Sequence, residues 1–447
     1  MKSKRTVHSL LMLGGAFWLP SLGSGVAFAD AGDHIRLGDA ELIPSIELRA
    51  VRRSNVYLSE GASTTSDGVQ VGSEEQSGTA LRLHPGLRIS LNGEATSLDF
   101  NVDYQAVKYL ESKHENLDRY KDIETGLVLN TFKESIVGVK LAQRFHVTGR
   151  ETESTYATSA YINHLMNSSS GRISFRPGSS LEIDVGGNYN FDKYDVSGDT
   201  SVEGSPGLNS RTAYGPGVDL KWAFFPKTAI VASYSHSWFN WENNLVDTKG
   251  DGISIGEFGE TLGIPNGSEW RTTLGLRGRL TEKFVLGLIG GYGQMNYDES
   301  SVPATAAPSE DFHEDLKGFP QGLISIVELG YKATASQSIT LGYRKAFQDV
   351  YFSNFVDFHN AFLRYEGLFA DRVGAKATVG YRYEQYVGEV SRDDHQVNLA
   401  LDLSYSATKF LEVGGGVKWQ QRGSADGLHS SIEYDDLTVS LGLTATY

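Results

Sequence analysis

Residues 437–447 read Leu-Thr-Val-Ser-Leu-Gly-Leu-Thr-Ala-Thr-Tyr. Leu437, Val439, Leu441, Leu443, Ala445 and Tyr447 fall on every second position, with glycine, serine or threonine between them. A period of two puts all six side chains on one face of an extended strand, because successive Cβ atoms point to opposite sides. The same pattern runs back through the chain. Val397, Leu399, Leu401, Leu403 and Tyr405 alternate with Asn398, Asp402 and Ser404. Leu181, Ile183, Val185 and Tyr189 alternate with Glu182, Asp184 and Asn188, and Leu98, Phe100, Val102, Tyr104 and Ala106 with Asp99, Asn101, Asp103 and Gln105. No stretch from residue 42 onward carries a 3.6-residue apolar stripe of helix length, so this part of the chain reads as all-β.

The connections between runs alternate in length. Tight turns fall at Asn92-Gly93, 132–134, 177–179, Pro226-Lys227, 281–283, Ser336-Gln337, Asp371-Arg372 and 407–409. Longer polar stretches fall at 59–77, 111–119, 148–156, 197–209, 243–268, 298–319, 388–395 and 422–431. Strict alternation of short and long is what an up-and-down meander gives when its two ends meet different surroundings. The count is about 18 strands (16–18) of roughly 10 to 15 residues, with the parse open over 156–176. Aromatics gather near strand ends: Tyr104 and Tyr109, Trp222 and Phe224-Phe225, Trp238 and Trp241, Tyr351-Phe352, Tyr381 and Tyr383. Interfacial rings of a membrane barrel sit there. The fold expected is a transmembrane up-and-down antiparallel β-barrel, with short periplasmic turns, long extracellular loops and outer-membrane lipid on its apolar face. An even count places both termini on the periplasmic side.

Composition agrees. The 447 residues include 50 glycines, 6 Trp, 22 Tyr and 21 Phe, no cysteine, a formal charge of -15 and a mean hydropathy of -0.29. Without cysteine there is no disulfide framework, thiolate metal site or lipidated N-terminal cysteine. The acidic balance argues against a nucleic-acid partner. Lys2, Lys4 and Arg5, a following apolar stretch and Ala27-Phe28-Ala29 make residues 1–29 a secretory signal peptide, leaving a short periplasmic leader at 30–41 and a barrel at 42–447. That leader is far too short for the plug domain of a gated receptor.

If the apolar parity faces lipid, the opposite parity lines the interior: Arg82, Arg88, Asp99, Asp103, Glu182, Asp184, Arg271, Arg277, Arg279, Arg344, Arg382, Glu384, Glu412 and Lys418. Both signs of charge are interleaved. Two readings stand: a hydrated conduit that passes polar solutes, or groups that pair with one another across a filled lumen. The longest loops, 243–268 and 298–319, are candidates to fold inward or to cap the mouth. Asp247–Phe258 fails the pattern of a calcium loop at Lys249 and at its twelfth position, Phe258, so no metal or cofactor is expected. The histidines are scattered singly. His236 stands between Ser235 and Ser237, but neighbours on a strand face opposite sides, so no catalytic dyad forms and no enzyme activity is expected.

The final run resembles the C-terminal signal by which outer-membrane barrels engage the barrel-assembly machinery. Over most of its length the chain also resembles the type 2 family of outer-membrane β-barrel porins. The resemblance is carried by the opening stretch AELIPSIELRAVRRSNVYL (Ala40–Leu58) and by S-x-T-A-L-R-L-x-P-G-L-R-I (Ser77–Ile89). It implies export of a polysaccharide through the lumen, paired with a periplasmic polysaccharide-export protein. The alternatives left by the residues themselves are a passive porin for small polar solutes and a structural or adhesive barrel.

Overall fold

The computed structural model describes residues 35–58, 63–64, 70–71, 75–148, 163–195, 210–242, 245–247, 261–263, 265–301, 315–316, 318–350, 353–387, 392–424 and 433–447. The sequence reading of 1–29 as a signal peptide lies outside them.

Eighteen long strands form one antiparallel sheet: β1 Ala40–Arg53, β2 Gly78–Asn92, β3 Thr96–Tyr109, β4 Arg119–Thr131, β5 Val137–Thr148, β6 Asn163–Phe175, β7 Leu181–Asp195, β8 Arg211–Phe225, β9 Thr228–Trp241, β10 Asn266–Arg279, β11 Phe284–Asp298, β12 Leu323–Lys332, β13 Gln337–Val350, β14 Ser353–Phe369, β15 Val373–Val387, β16 Arg392–Ser406, β17 Leu411–Ser424 and β18 Tyr434–Thr446. Each pairs with the next. β18 then returns to β1, with Thr446 opposite Ser45 and Thr438 opposite Arg53, which closes the sheet. Closure matters because lipid offers no partner to backbone N–H and C=O groups, and a closed ladder leaves no edge unpaired. Ile35–Leu37 pairs with Ala40–Leu42, on the stretch of β1 just beyond the end of β18. The barrel thus begins at Ala40, two residues before the start read from sequence. β6 occupies 163–175 of the stretch 156–176 whose parse was open, and 156–162 lie outside the described residues.

Away from the register shifts at the ends of β4 and β8, the exposed large apolar residues share one parity on each strand, as with Ile46 and Leu48 on β1, Leu274 and Leu276 on β10, and Leu437 to Leu443 on β18. The charged residues take the other parity and reach one another across intervening strands. Lys140 of β5, for example, bonds Asp184 of β7 at 2.6 Å. Side chains converge in this way on the concave face of a curved sheet, so the charged face is the inside and the apolar face the outside. Rings bound the apolar band at both ends: Phe132, Phe175, Phe225, Phe369 and Phe410 beside the tight turns, and Tyr189, Tyr214, Trp238, Tyr343 and Tyr381 beside the longer loops. A closed antiparallel barrel with this belt is an integral protein of the bacterial outer membrane.

Two rings assigned to that girdle from sequence belong elsewhere. Trp241 and Tyr109 are buried on the inward parity, Trp241 with Phe239 and Met295, Tyr109 with Val107 and Leu117. Their position near a strand end was read correctly, but their face was not. Tyr351 and Phe352 lie outside the described residues. Strict alternation of connection length also fails twice. β13 and β14 are joined at the outer end by 351–352 alone and β15 and β16 by 388–391, so two extracellular connections are as short as the periplasmic turns.

The β13–β14 hairpin departs from the wall. Ile339, Leu341 and Tyr343 of β13 are exposed on the lipid-facing parity, yet Lys345 and Phe347, on the same parity, are buried. β12 starts only at Leu323 and its ladder with β13 ends at Ser325–Lys345, so among the described residues the upper part of β13 has no paired strand on that side. Released there, the hairpin tucks inside the barrel and lays its formerly outward face on the inner wall of β8–β11. Phe347 and Phe355 pack with Ala213, Phe239, Trp241, Met295, Ile324 and loop residue Leu316. Gly293 makes room: a Cβ there would stand 2.7 Å from Phe347 Cζ and 2.6 Å from the Trp270 carbonyl oxygen.

Candidate functional site: the barrel lumen

All fourteen charged residues singled out from sequence lie on the parity opposite the apolar belt. The pairing ladder groups them into distinct patches. Near the periplasmic end Arg88 of β2 bonds Asp99 of β3, and His84 Nε2 stands 3.5 Å from Asp103 Oδ1. On the neighbouring wall Lys140 Nζ donates to Glu182 at 3.0 Å and Asp184 at 2.6 Å, while Arg176 Nε donates to Glu182 at 3.0 Å. Arg172 Nε stands 3.5 Å from Asp219 Oδ2. These groups satisfy one another from adjacent strands or, for Lys140 and Arg172, from two strands away, as charges on a half-buried wall must if they are to stay ionised.

The wall of β10 and β13–β15 differs. Direct cross-strand partners run Ile326–Arg344–Asn360–Arg382–Gln396–Arg422 from β12 to β17, so arginines occupy alternate strands of a single row. The Phe358 ring lies between two of them, 5.6 Å from the Arg344 guanidinium and 4.8 Å from that of Arg382. Arg364 stands 5.3 Å from the Phe362 ring, which itself lies over Gly342. Arg271 reaches this region from β10. Its Nη2 donates to Glu269 and to the Phe347 carbonyl oxygen, both at 2.8 Å, and its guanidinium sits 4.5 Å from the Phe347 ring. Acidic partners stand at both ends of the row: Glu269 takes Arg271 on β10, and on the other side Glu384 pairs with Arg382 and shares Arg422 with Asp394. The result is a cationic, ring-bearing wall below the tucked hairpin.

Not every candidate joins a patch. Arg82 faces Arg49 across the ladder. Arg277 and Arg279 make no side-chain ion pair among the described residues, and Glu412 and Lys418 lie on the inward face of β17, Glu412 beside Ser404 and Lys418 near Asp402. Sequence reading missed Lys140, Arg172, Arg364 and the rings Phe347, Phe358 and Phe362. The first three carry the same parity signal as the residues chosen. Phe358 and Phe362 carry it too, alternating with Asn360 and Arg364 on β14, whereas Phe347 shares the lipid-facing parity of Leu341 and reads as outward until the fold of the hairpin is known.

The tucked hairpin is pinned by charge as well as by rings. Asp349 of β13 accepts a 2.7 Å hydrogen bond from Arg211 Nη2 of β8, five strands along the sheet. Lys345 Nζ donates to Asp357 at 2.6 Å and to the Pro320 carbonyl oxygen at 3.0 Å, which ties the root of the hairpin to the loop before β12. Among the described residues it is this hairpin, joined by Leu316 from the long loop 298–319, that enters the mouth, as expected for one of the two longest loops. Residues 248–260 and 302–314 lie outside that description. No cluster of histidine and carboxylate with metal-holding geometry occurs among the described residues.

The fold and lumen define an outer-membrane β-barrel of porin size. No protein-family model matches the sequence, and no curated protein matches it. Among solved structures the chain is similar to the outer membrane protein OpdK from Pseudomonas aeruginosa, at 10% identity and a TM-score of 0.42, covering 91% of this chain and 99% of that one. It is similar to OccAB3 from Acinetobacter baumannii at 9% identity and a TM-score of 0.45, covering 92% and 100%. A BenF-like porin from Pseudomonas fluorescens Pf-5 aligns at 10% identity and a TM-score of 0.44, again covering 92% and 100%. The strand count and closure described above rest on the chain's own ladder.

Proposed function

We propose that the barrel is a passive channel for small polar solutes, narrowed at its outer mouth by the tucked β13–β14 hairpin and biased toward anions by the arginine wall beneath it. The observation that carries this reading is the row Arg344–Asn360–Arg382 with Phe358 between the two guanidiniums and Arg271 above. An 18-strand circumference is wide enough for an aqueous lumen. Fixed positive charge on low-dielectric walls concentrates anions and repels cations. The planar guanidiniums suit carboxylate or phosphate oxygens, and the half-buried Phe362 ring beside Arg364 suits an apolar solute body.

The test is reversal potential in a planar bilayer under a potassium chloride gradient. The native barrel should favour chloride, and the double variant Arg344→Glu, Arg382→Glu should move the potential toward cation preference. A barrel with no open conductance, or one whose selectivity ignores the double variant, would overturn the reading.

Export of a polysaccharide with a periplasmic partner is the second reading. The half-buried ring of Phe362 on the inward face favours it, because sugar rings stack on aromatic faces. It requires the hairpin to swing clear for a polymer to pass. Deleting the gene and comparing secreted with cell-retained polysaccharide separates the two: loss outside with synthesis intact supports export, and unchanged polysaccharide removes it.

A further inference from the structure

On the outer, lipid-facing parity of β13–β16 the apolar belt ends in a patch of another kind. Leu341, Leu363, Val379 and Leu399 are exposed there as elsewhere in the belt. Above them the partners His359, Tyr383 and His395 stand side by side on β14, β15 and β16. Tyr343 and Tyr381 lie on the row just below. Each histidine is oriented by a tyrosine: Tyr343 Oη is 2.8 Å from His359 Nδ1, and Tyr381 Oη is 2.7 Å from His395 Nδ1. Tyr383 packs between the imidazoles, with ring centroids 5.9 Å from His359 and 5.1 Å from His395. Both imidazoles are thus held by a tyrosine of the row below, with Tyr383 between them.

We infer that this patch is a binding site for the phosphate-bearing headgroup of a lipid in the outer leaflet. Three observations carry the inference. The first is height. The ten residues from Val373 to Tyr383 rise about 25 Å at about 3.3 Å per residue and a tilt of about 40°, which is the full thickness of the apolar band. The row therefore lies level with headgroups and not with acyl chains.

The second is chemistry. A tyrosine hydroxyl that gives its proton to Nδ1 leaves the hydrogen of the imidazole on Nε2. No described residue bonds either Nε2, so the patch offers two fixed N–H donors to its surroundings. They stand two strands apart, about 10 Å.

The third is local charge. Asp357, beside His359, is held by Lys345, and Asp393 lies against Tyr383. Both carboxylates already have a partner, so the donors are left for an outside acceptor. Phosphate oxygens are the strongest acceptors at that depth, and hydrogen bonds to charged groups are worth more than neutral ones.

The test uses the purified barrel in detergent, titrated with phosphatidylglycerol or with a monogalactosyl diacylglycerol of the same acyl chains, and reads retained lipid by native mass spectrometry. Phosphatidylglycerol should be retained over the galactolipid. The variant His359→Phe, His395→Phe, which keeps two rings and removes both donors, should bind it about tenfold more weakly, with galactolipid binding unchanged. Soluble glycerol phosphate at millimolar concentration should not displace the lipid. Equal retention by native and variant barrels would overturn the inference. So would equal retention of the two lipids, or displacement by glycerol phosphate. If the double variant fails to assemble, Tyr343→Phe with Tyr381→Phe removes the orienting hydroxyls instead and should weaken the same lipid selectively, and no weakening there overturns the site.

Discussion

Phe347→Ala tests whether the hairpin is a working constriction. The ring is fully buried among Phe239, Met295, Leu316 and Phe355, above the Arg271 guanidinium. Removing a buried phenylalanine costs about 3–5 kcal/mol. A hairpin swung outward re-covers part of that surface with lipid, so the lower figure applies. About 3 kcal/mol is a change of roughly a hundredfold or more in the ratio of tucked to untucked hairpin. The barrel itself should be spared, because the eighteen-strand ladder does not pass through Phe347's side chain. Single-channel recording should therefore show a larger or flickering conductance for Phe347→Ala, while the folded barrel keeps its heat-resistant migration on gels. Asp349→Asn should act in the same direction, since it leaves Arg211 buried beside a neutral partner. Exchanging the pair, Arg211→Asp with Asp349→Arg, should bring the native conductance part of the way back. If both single variants conduct as the native barrel does, the hairpin does not limit the pore and the parity argument for its function is wrong.

Other expectations follow from the same geometry. Leu441 is 65% exposed at the middle of β18's lipid face, so Leu441→Arg should cost about 2–4 kcal/mol in a bilayer-folding titration, and Leu437→Arg near the outer rim distinctly less. Tyr447 stacks on Phe410 with centroids 5.7 Å apart and donates its N–H to the Pro44 carbonyl oxygen at 3.1 Å. Tyr447→Ala should lower the yield of assembled barrel in membranes while leaving the conductance of the assembled fraction unchanged. Between β3 and β4, burial opposes the charges of Glu111 and Asp118, but the bonds they accept hold both carboxyls below the usual range. Glu111 takes the Thr79 N–H at 2.9 Å, and Asp118 takes those of Tyr109 at 2.7 Å and Lys108 Nζ at 3.0 Å. A lowered carboxyl pKa stabilises fully above the unfolded value and loses that stabilisation as pH falls through the folded one. Hydrogen exchange at the Thr79 and Tyr109 amides, corrected for its intrinsic pH dependence, should thus lose protection on acidification below the ordinary carboxylate range, and Asp118→Asn should remove most of the effect at Tyr109.

The sequence by itself determined the class of fold. Period-two alternation in runs such as 397–405 and 437–447 sets one apolar and one polar face on each strand, and tight turns between them leave little but a meander. In a membrane such a meander must close. Parity also sorted Arg344, Arg382 and Glu182 onto the inner face, because facing on a strand is a local property. The tertiary structure alone decided what those residues meet. Register set Arg344, Asn360 and Arg382 in one row and laid Phe358 between guanidiniums that are 38 residues apart in the chain. Register likewise brought His359, Tyr383 and His395 side by side, where sequence showed only scattered histidines. The tucked hairpin was illegible for a further reason. Phe347 and Phe355 alternate in phase with Leu341 and Leu363, and nothing local says that their face leaves the lipid. That follows from the late start of β12 at Leu323, which leaves the upper part of β13 without a paired strand on that side among the described residues and lets an apolar, outward-coded face find burial inside the barrel.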